Sequence, residues 1–195
     1  MSLRERLGDL FFNFLPYAIG ALLIAGIVHI VSILLMPNVA PRDAFARFSE
    51  LVPQSRMSLL PAPKPGSEAI PYQDPALIQA ACRYDLADSP LHIRANVSGD
   101  GLLSLAFHSR SGRIFYSMTD RAALRGKIDV ILLTKSQLTA LEALDTDDEP
   151  PQELRLVSPS REGFVIVRAL AERENARPEA LGRLAAVSCA PEARR

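Results

Sequence analysis

The chain has 195 residues, with 22 basic and 22 acidic side chains balancing to a formal charge of zero, two cysteines and no tryptophan. Neutral balance without clustered basic charge argues against a nucleic-acid footprint, and the length allows one ordinary domain in addition to a membrane segment. Two cysteines and three histidines leave little material for a metal centre.

Residues 1–14 form a short arm whose four charges, Arg4, Glu5, Arg6 and Asp9, cancel. Residues 15–36, LPYAIGALLIAGIVHIVSILLM, then run without one acidic or formally basic side chain. At about 1.5 Å per helical residue they cover roughly 33 Å, enough for a hydrocarbon core of about 30 Å. The spacing predicts a single transmembrane helix, with the lipid bilayer as its partner.

Orientation rests on flanking cations, and these tie: Arg4 and Arg6 before the span, Arg42 and Arg47 after it. A short arm ahead of a first apolar run stays inside as a rule, which predicts a cytoplasmic N-terminus and a periplasmic domain. The rival is a cleaved signal peptide with Asn38-Val39-Ala40 before the cut. Against it stand an apolar core longer than the usual 7 to 15 residues and Pro41 at the first mature position. His29 lies within the span without a charged neighbour there, and a structural hydrogen bond accounts for it more simply than a proton relay. Gly20, Ala21, Ala25 and Gly26 offer small-residue spacing of a kind that also arises by chance.

Residues 37–71 are punctuated by Pro37, Pro41, Pro53, Pro61, Pro63, Pro65 and Pro71, with one short helix expected at 43–51. The stretch 60–66 should be extended and semi-rigid, either a spacer or an arm that wraps over the domain.

The domain is expected over 72–190, with 191–195 as a tail. Asp74 before Pro75 reads as a helix start that places Leu77, Ile78, Ala81 and Cys82 on one face. Alternation then predicts a strand from Leu91, with Ser98-Gly-Asp-Gly101 as a turn, and further strands at 102–108 and 113–118 joined through Arg110-Ser-Gly112. Residues 127–133 read as a fourth strand. It is closed by Thr134-Lys-Ser-Gln137, which has the spacing of a capping box. The run Asp145, Asp147, Asp148, Glu149 ahead of Pro150-Pro151 reads as a solvated loop.

Strands follow at 153–157 and 164–169, the second apolar on both faces and therefore central. Pro178 opens a last helix that would carry Cys189 on its apolar face. The fold class is α+β: one transmembrane helix, then a β-rich domain with a mainly antiparallel sheet and peripheral helices.

Cys82 and Cys189 would form a disulfide in an oxidising compartment, closing a loop of about 107 residues; two buried thiols are the alternative. Catalytic signatures are missing: no metal-binding HExxH, no Gly-x-Ser-x-Gly elbow, no glycine-rich phosphate loop, and no cofactor is implied. His92 and His108 have no ligand spacing to either cysteine. Arg83, Tyr84 and Asp85, with His108 and Tyr116, are the polar side chains from which a small-ligand or catalytic pocket would be built. Alternatively, Arg83 and Asp85 fix a turn while Tyr84 packs.

His29-Ile-Val, Leu35-Met-Pro37, Asp43-Ala-Phe-Ala-Arg47, Pro71-Tyr-Gln-Asp-Pro-Ala76, Cys82-Arg-Tyr-Asp-Leu86, Phe115-Tyr-Ser-Met-Thr-Asp-Arg121 and Val165-Ile-Val-Arg-Ala169 together carry a likeness. On these segments the chain resembles small bacterial membrane proteins of the domain of unknown function 1254 family. The resemblance implies an inner-membrane, single-pass protein with an envelope-facing β-rich domain. It also implies relatives that carry a second domain beside this one, hence an envelope protein as partner, and it transfers no catalytic residue.

Overall fold

The computed structural model describes residues 3–39, 44–64, 66, 70, 73–97, 102–145 and 152–192. The expected turn at 98–101, most of the acidic loop (147–151), Pro41, Pro65, Pro71 and the last three residues lie outside these. The chain forms two compact units, Met1–Pro41 and Arg42–Arg195.

The first unit is one helix, α1 (Leu3–Val39), whose Asn13–Met36 stretch is long and apolar enough to cross a membrane. Its apolar side chains are exposed from Phe14 to Met36. Such a surface is stable where the surroundings are themselves apolar. Within it Ser32 donates to the Val28 carbonyl at 2.7 Å, which satisfies the hydroxyl inside its own helix.

The second unit opens with α2 (Ala44–Leu51) and the two-residue β1 (Ser58–Leu59). Then come β2 (Leu77–Asp85), β3 (Leu91–Asn96), β4 (Leu103–Ser109), β5 (Ile114–Thr119), β6 (Lys127–Leu133), α3 (Lys135–Glu142), β7 (Leu154–Val157), β8 (Glu162–Leu170), α4 (Arg177–Ala185) and β9 (Val187–Pro191). The strands divide into two sheets, ordered β1-β2-β8-β4-β5 and β7-β6-β3-β9. All pairings among these strands are antiparallel except β6 with β7. The α+β class and the antiparallel bias hold, and β8 is central as its two-sided apolarity requires.

The segment 77–85 corrects the sequence reading. It is a strand, because Asp74 turns the chain rather than capping a helix: its carboxylate accepts the Ala76 N–H at 2.9 Å and its carbonyl the Leu77 N–H at 3.1 Å. Cys82 therefore sits in β2, and Cys189 in β9, beyond the end of α4. Its core face alternates as a strand should, with Ile78, Ala80, Cys82 and Tyr84 buried, but apolar Leu77 and Ala81 on the other face blur the two-residue period in the sequence.

One core lies between the sheets, filled by Ile78, Tyr84, Leu105, Phe107 and Val167 from the first and Ile93, Val130, Leu132 and Val187 from the second. Cys82 and Cys189 are joined across it, with Cα atoms 6.6 Å apart and a sequence separation of 107. A smaller cluster covers the opposite face of the first sheet, where Val52 and Leu60 pack on Ala81, Phe164 and Ile166. Residues 44–60 thus lie on the domain as an arm. The predicted capping box is present: Gln137 N–H donates to Thr134 Oγ1 (3.3 Å), and Thr134 N–H to Gln137 Oε1 (2.8 Å). Asp145, read as a loop charge, is paired with Arg155 at 2.8 Å.

Candidate functional site

Successive residues of a strand point to opposite faces, so β2 separates the three neighbours Arg83, Tyr84 and Asp85. Tyr84 turns into the core and is fully buried. Its hydroxyl donates to the His108 carbonyl at 3.0 Å and lies 3.0 Å from Ser158 Oγ, while burial pushes its pKa up against the opposing effect of Ser158 and Ser160. Gly163, opposite Tyr84 in the β2–β8 register, makes room for that hydroxyl.

Arg83 faces the other way. Its guanidinium carbon lies 5.8 Å from the centroid of the Phe45 ring of α2, and that of Arg110 lies 5.1 Å from the same ring. Asp85 closes the strand: its carboxylate accepts the Ala87 N–H at 2.9 Å and the Arg161 Nε–H at 3.0 Å. The Arg161 hydrogen bond holds the Asp85 carboxyl below the usual carboxylate range.

His108 shares the outer face with Arg83, on either side of Phe164 in the register. Its ring stacks on Phe164 at 4.7 Å, and Nδ1 bonds the Gly112 carbonyl at 3.0 Å. Phe164 also stacks on Phe48 at 4.4 Å. Tyr116 lies on the edge strand β5, tilted against Phe107 at 6.1 Å. The five residues are therefore not convergent side chains. Tyr84 meets only the backbone of His108, Asp85 is held in a turn, and Tyr116 stands apart.

A polar constellation absent from the sequence reading lies on the outer face of the second sheet. His92 of β3 is buried, its Nε2 bonded to Asp129 of β6 and its Nδ1 to Glu192 just beyond β9. Arg94 adds a 3.7 Å contact to Asp129. The two carboxylates approach opposite edges of the imidazole, so they cannot close on one ion with it, and neither ring nitrogen is free to serve as a base. No metal-holding group of three or more such side chains occurs among the described residues. The β3–β6 and β3–β9 registers place these residues together, and no local motif reveals them.

A groove of about 560 Å³ runs beside the disulfide, walled by Met57, Leu59, Ala80, Leu184, Val187 and Cys189. None of the five sequence-predicted pocket residues lines it.

No protein-family model and no curated protein matches the chain. Among solved structures it is similar to the VPA0106 protein of Vibrio parahaemolyticus, at 12% identity and a TM-score of 0.53 over 76% of this chain and 34% of that one. A second similar structure, an uncharacterized protein from Burkholderia cenocepacia, has 14% identity and a TM-score of 0.44 over 65% of this chain and 33% of that one. The chain thus spans about a third of the length of the solved proteins it matches, and what it shares with the first of them is the fold.

Proposed function

We propose that this chain is a membrane-anchored, non-enzymatic component of a bacterial envelope assembly, akin to the domain of unknown function 1254 family. In this reading residues 15–36 cross the inner membrane with the N-terminus in the cytoplasm, and the domain stands in the periplasm. The observation that carries it is the pairing of an apolar helix having exposed side chains with a sandwich joined by Cys82–Cys189. A structural bridge of that kind persists on the oxidising side of a membrane.

The binding-module reading is favoured over an enzyme because the polar candidates are occupied by the fold. Tyr84 supports a carbonyl, Asp85 a turn, and Arg83 an aromatic ring. That VPA0106 devotes about a third of its length to this fold further supports a domain that works beside other parts.

Two measurements test it. Alkaline phosphatase fused at the C-terminus should be active, the same fusion with a cytoplasm-restricted reporter should be dark, and mass spectrometry should find the apolar helix retained. A mature N-terminus near Pro41, or a reporter lit only in the cytosol, overturns the topology. Crosslinking in native membranes should recover a specific companion that is lost when residues 42–195 are removed. If a purified domain instead turns over or binds a metabolite and no companion is captured, the module reading fails.

A further inference from the structure

The arm over the first sheet packs on Phe164, the ring against which the titratable His108 stacks. Phe48 of α2 stacks on one side of Phe164 and His108 on the other, while Phe45 is clamped by Arg83 and Arg110. Beyond α2, the arm is tied to the β2 edge by Ser55 N–H to the Arg83 carbonyl at 2.7 Å and Leu60 N–H to the Gln79 carbonyl at 2.9 Å.

His108 is buried, and Nδ1–H donates to the Gly112 carbonyl, so the lone pair of the neutral ring resides on Nε2. That atom is buried and has no hydrogen-bond partner. A proton there would create a buried N–H without an acceptor, in a layer already rich in cations. Arg168 of β8 acts on the ring directly. Arg83 comes from β2, Arg110 and the exposed Arg113 from the β4–β5 turn, and α2 brings the exposed pair Arg47 and Glu50. Glu162 of β8 is occupied by Arg110.

We propose that residues 44–60 form an acid-released strap, seated on the first sheet while His108 is neutral and lifted when that ring takes a proton. The proton is the ligand, and it prefers the state in which water reaches Nε2. By reciprocity, a cover that keeps water out opposes the proton, and the proton opposes the cover. Burial, aided by Arg168 and opposed by the Gly112 hydrogen bond, holds the His108 pKa below its ordinary 6.5. Closure is therefore at full strength above about pH 6.5 and weakens as pH falls from there.

Hydrogen exchange on the full chain in phospholipid nanodiscs tests this, once intrinsic exchange rates are corrected for pH. Between pH 7.5 and 5 the Ser55 and Leu60 amides should lose protection by a factor approaching, and not exceeding, about tenfold per pH unit, the limit for one proton. Val165 and Val167 of the core should keep theirs. His108→Phe, which keeps a stacking ring that cannot titrate, should remove the dependence, and His108→Asn serves if that variant fails to fold. Flat protection of Ser55 and Leu60 in the unaltered chain overturns the proposal. So does an unchanged pH response in either variant, or loss of protection at Val165 together with the strap.

Discussion

At the scale of single residues, the tightest surroundings of any described glycine are at Gly163. A Cβ added there would come within 3.0 Å of both the His108 carbonyl oxygen and the Tyr84 hydroxyl, closer than real side chains approach. The first of these is backbone paired in the β4–β8 ladder, so it cannot swing aside. Gly163→Ala should therefore destabilise the domain by about 1–3 kcal/mol, as overpacking does. Urea denaturation of the purified domain checks this, and an unchanged midpoint would show that the sheet yields more easily than its pairing implies. Tyr84 was identifiable in the sequence as a residue that packs. Its partner was not, since a hydroxyl bonding a backbone carbonyl 24 positions away leaves no mark in composition or spacing.

At the scale of elements, legibility followed the asymmetry of burial. Strand β3 alternates between buried apolar residues and outward polar ones at its far end, and β6 ends in the capping box of α3, so both were read close to their observed bounds. Strand β2 has the apolar core on one side and the arm on the other, and apolar Leu77 and Ala81 on the arm side blur the two-residue period that its burial keeps. Its misreading as a helix also made Arg83, Tyr84 and Asp85 look like neighbours around one turn, when the pleat sends them apart. The polar constellation on His92 depends on register between strands far apart in sequence, and nothing local encodes it.

Helix α3 shows how much a cap can carry. It fully buries no residue, its Leu138 and Leu141 are only half-buried, and the box with Thr134 and the Gln137 hydrogen bond to the Leu86 carbonyl at 2.9 Å help tie it to the domain. Thr134→Ala should cost about 1 kcal/mol, and amide exchange should quicken across 135–142 while β6 stays protected. Equal quickening in β6 would mean that the helix supports the sheet rather than depending on it.

At the scale of the whole molecule, the Cys82–Cys189 bridge ties the second strand of one sheet to the edge strand of the other. The cysteine pair was legible from the sequence, whereas the existence of two sheets was not, because the order β1-β2-β8-β4-β5 brings together strands far apart in the chain. Removing the bridge should lower the unfolding free energy by about 2–4 kcal/mol without altering the native fold. Equilibrium denaturation of oxidised protein against a Cys82→Ala, Cys189→Ala variant measures it, and equal midpoints would mean that native strain cancels the gain in the unfolded chain.

The pairing of β2 with β8, from Leu77 against Leu170 to Asp85 against Glu162, dictates an order of events during biogenesis. Strand β2 emerges from a ribosome or a translocation pore with only the two-residue β1 made before it, and its other edge must wait unpaired for β8 while some 80 further residues follow. Such sequence-distant contacts make assembly slow compared with helical bundles. The newborn polypeptide therefore stays threadable for as long as it is being made, with sulfur oxidation sealing the architecture last.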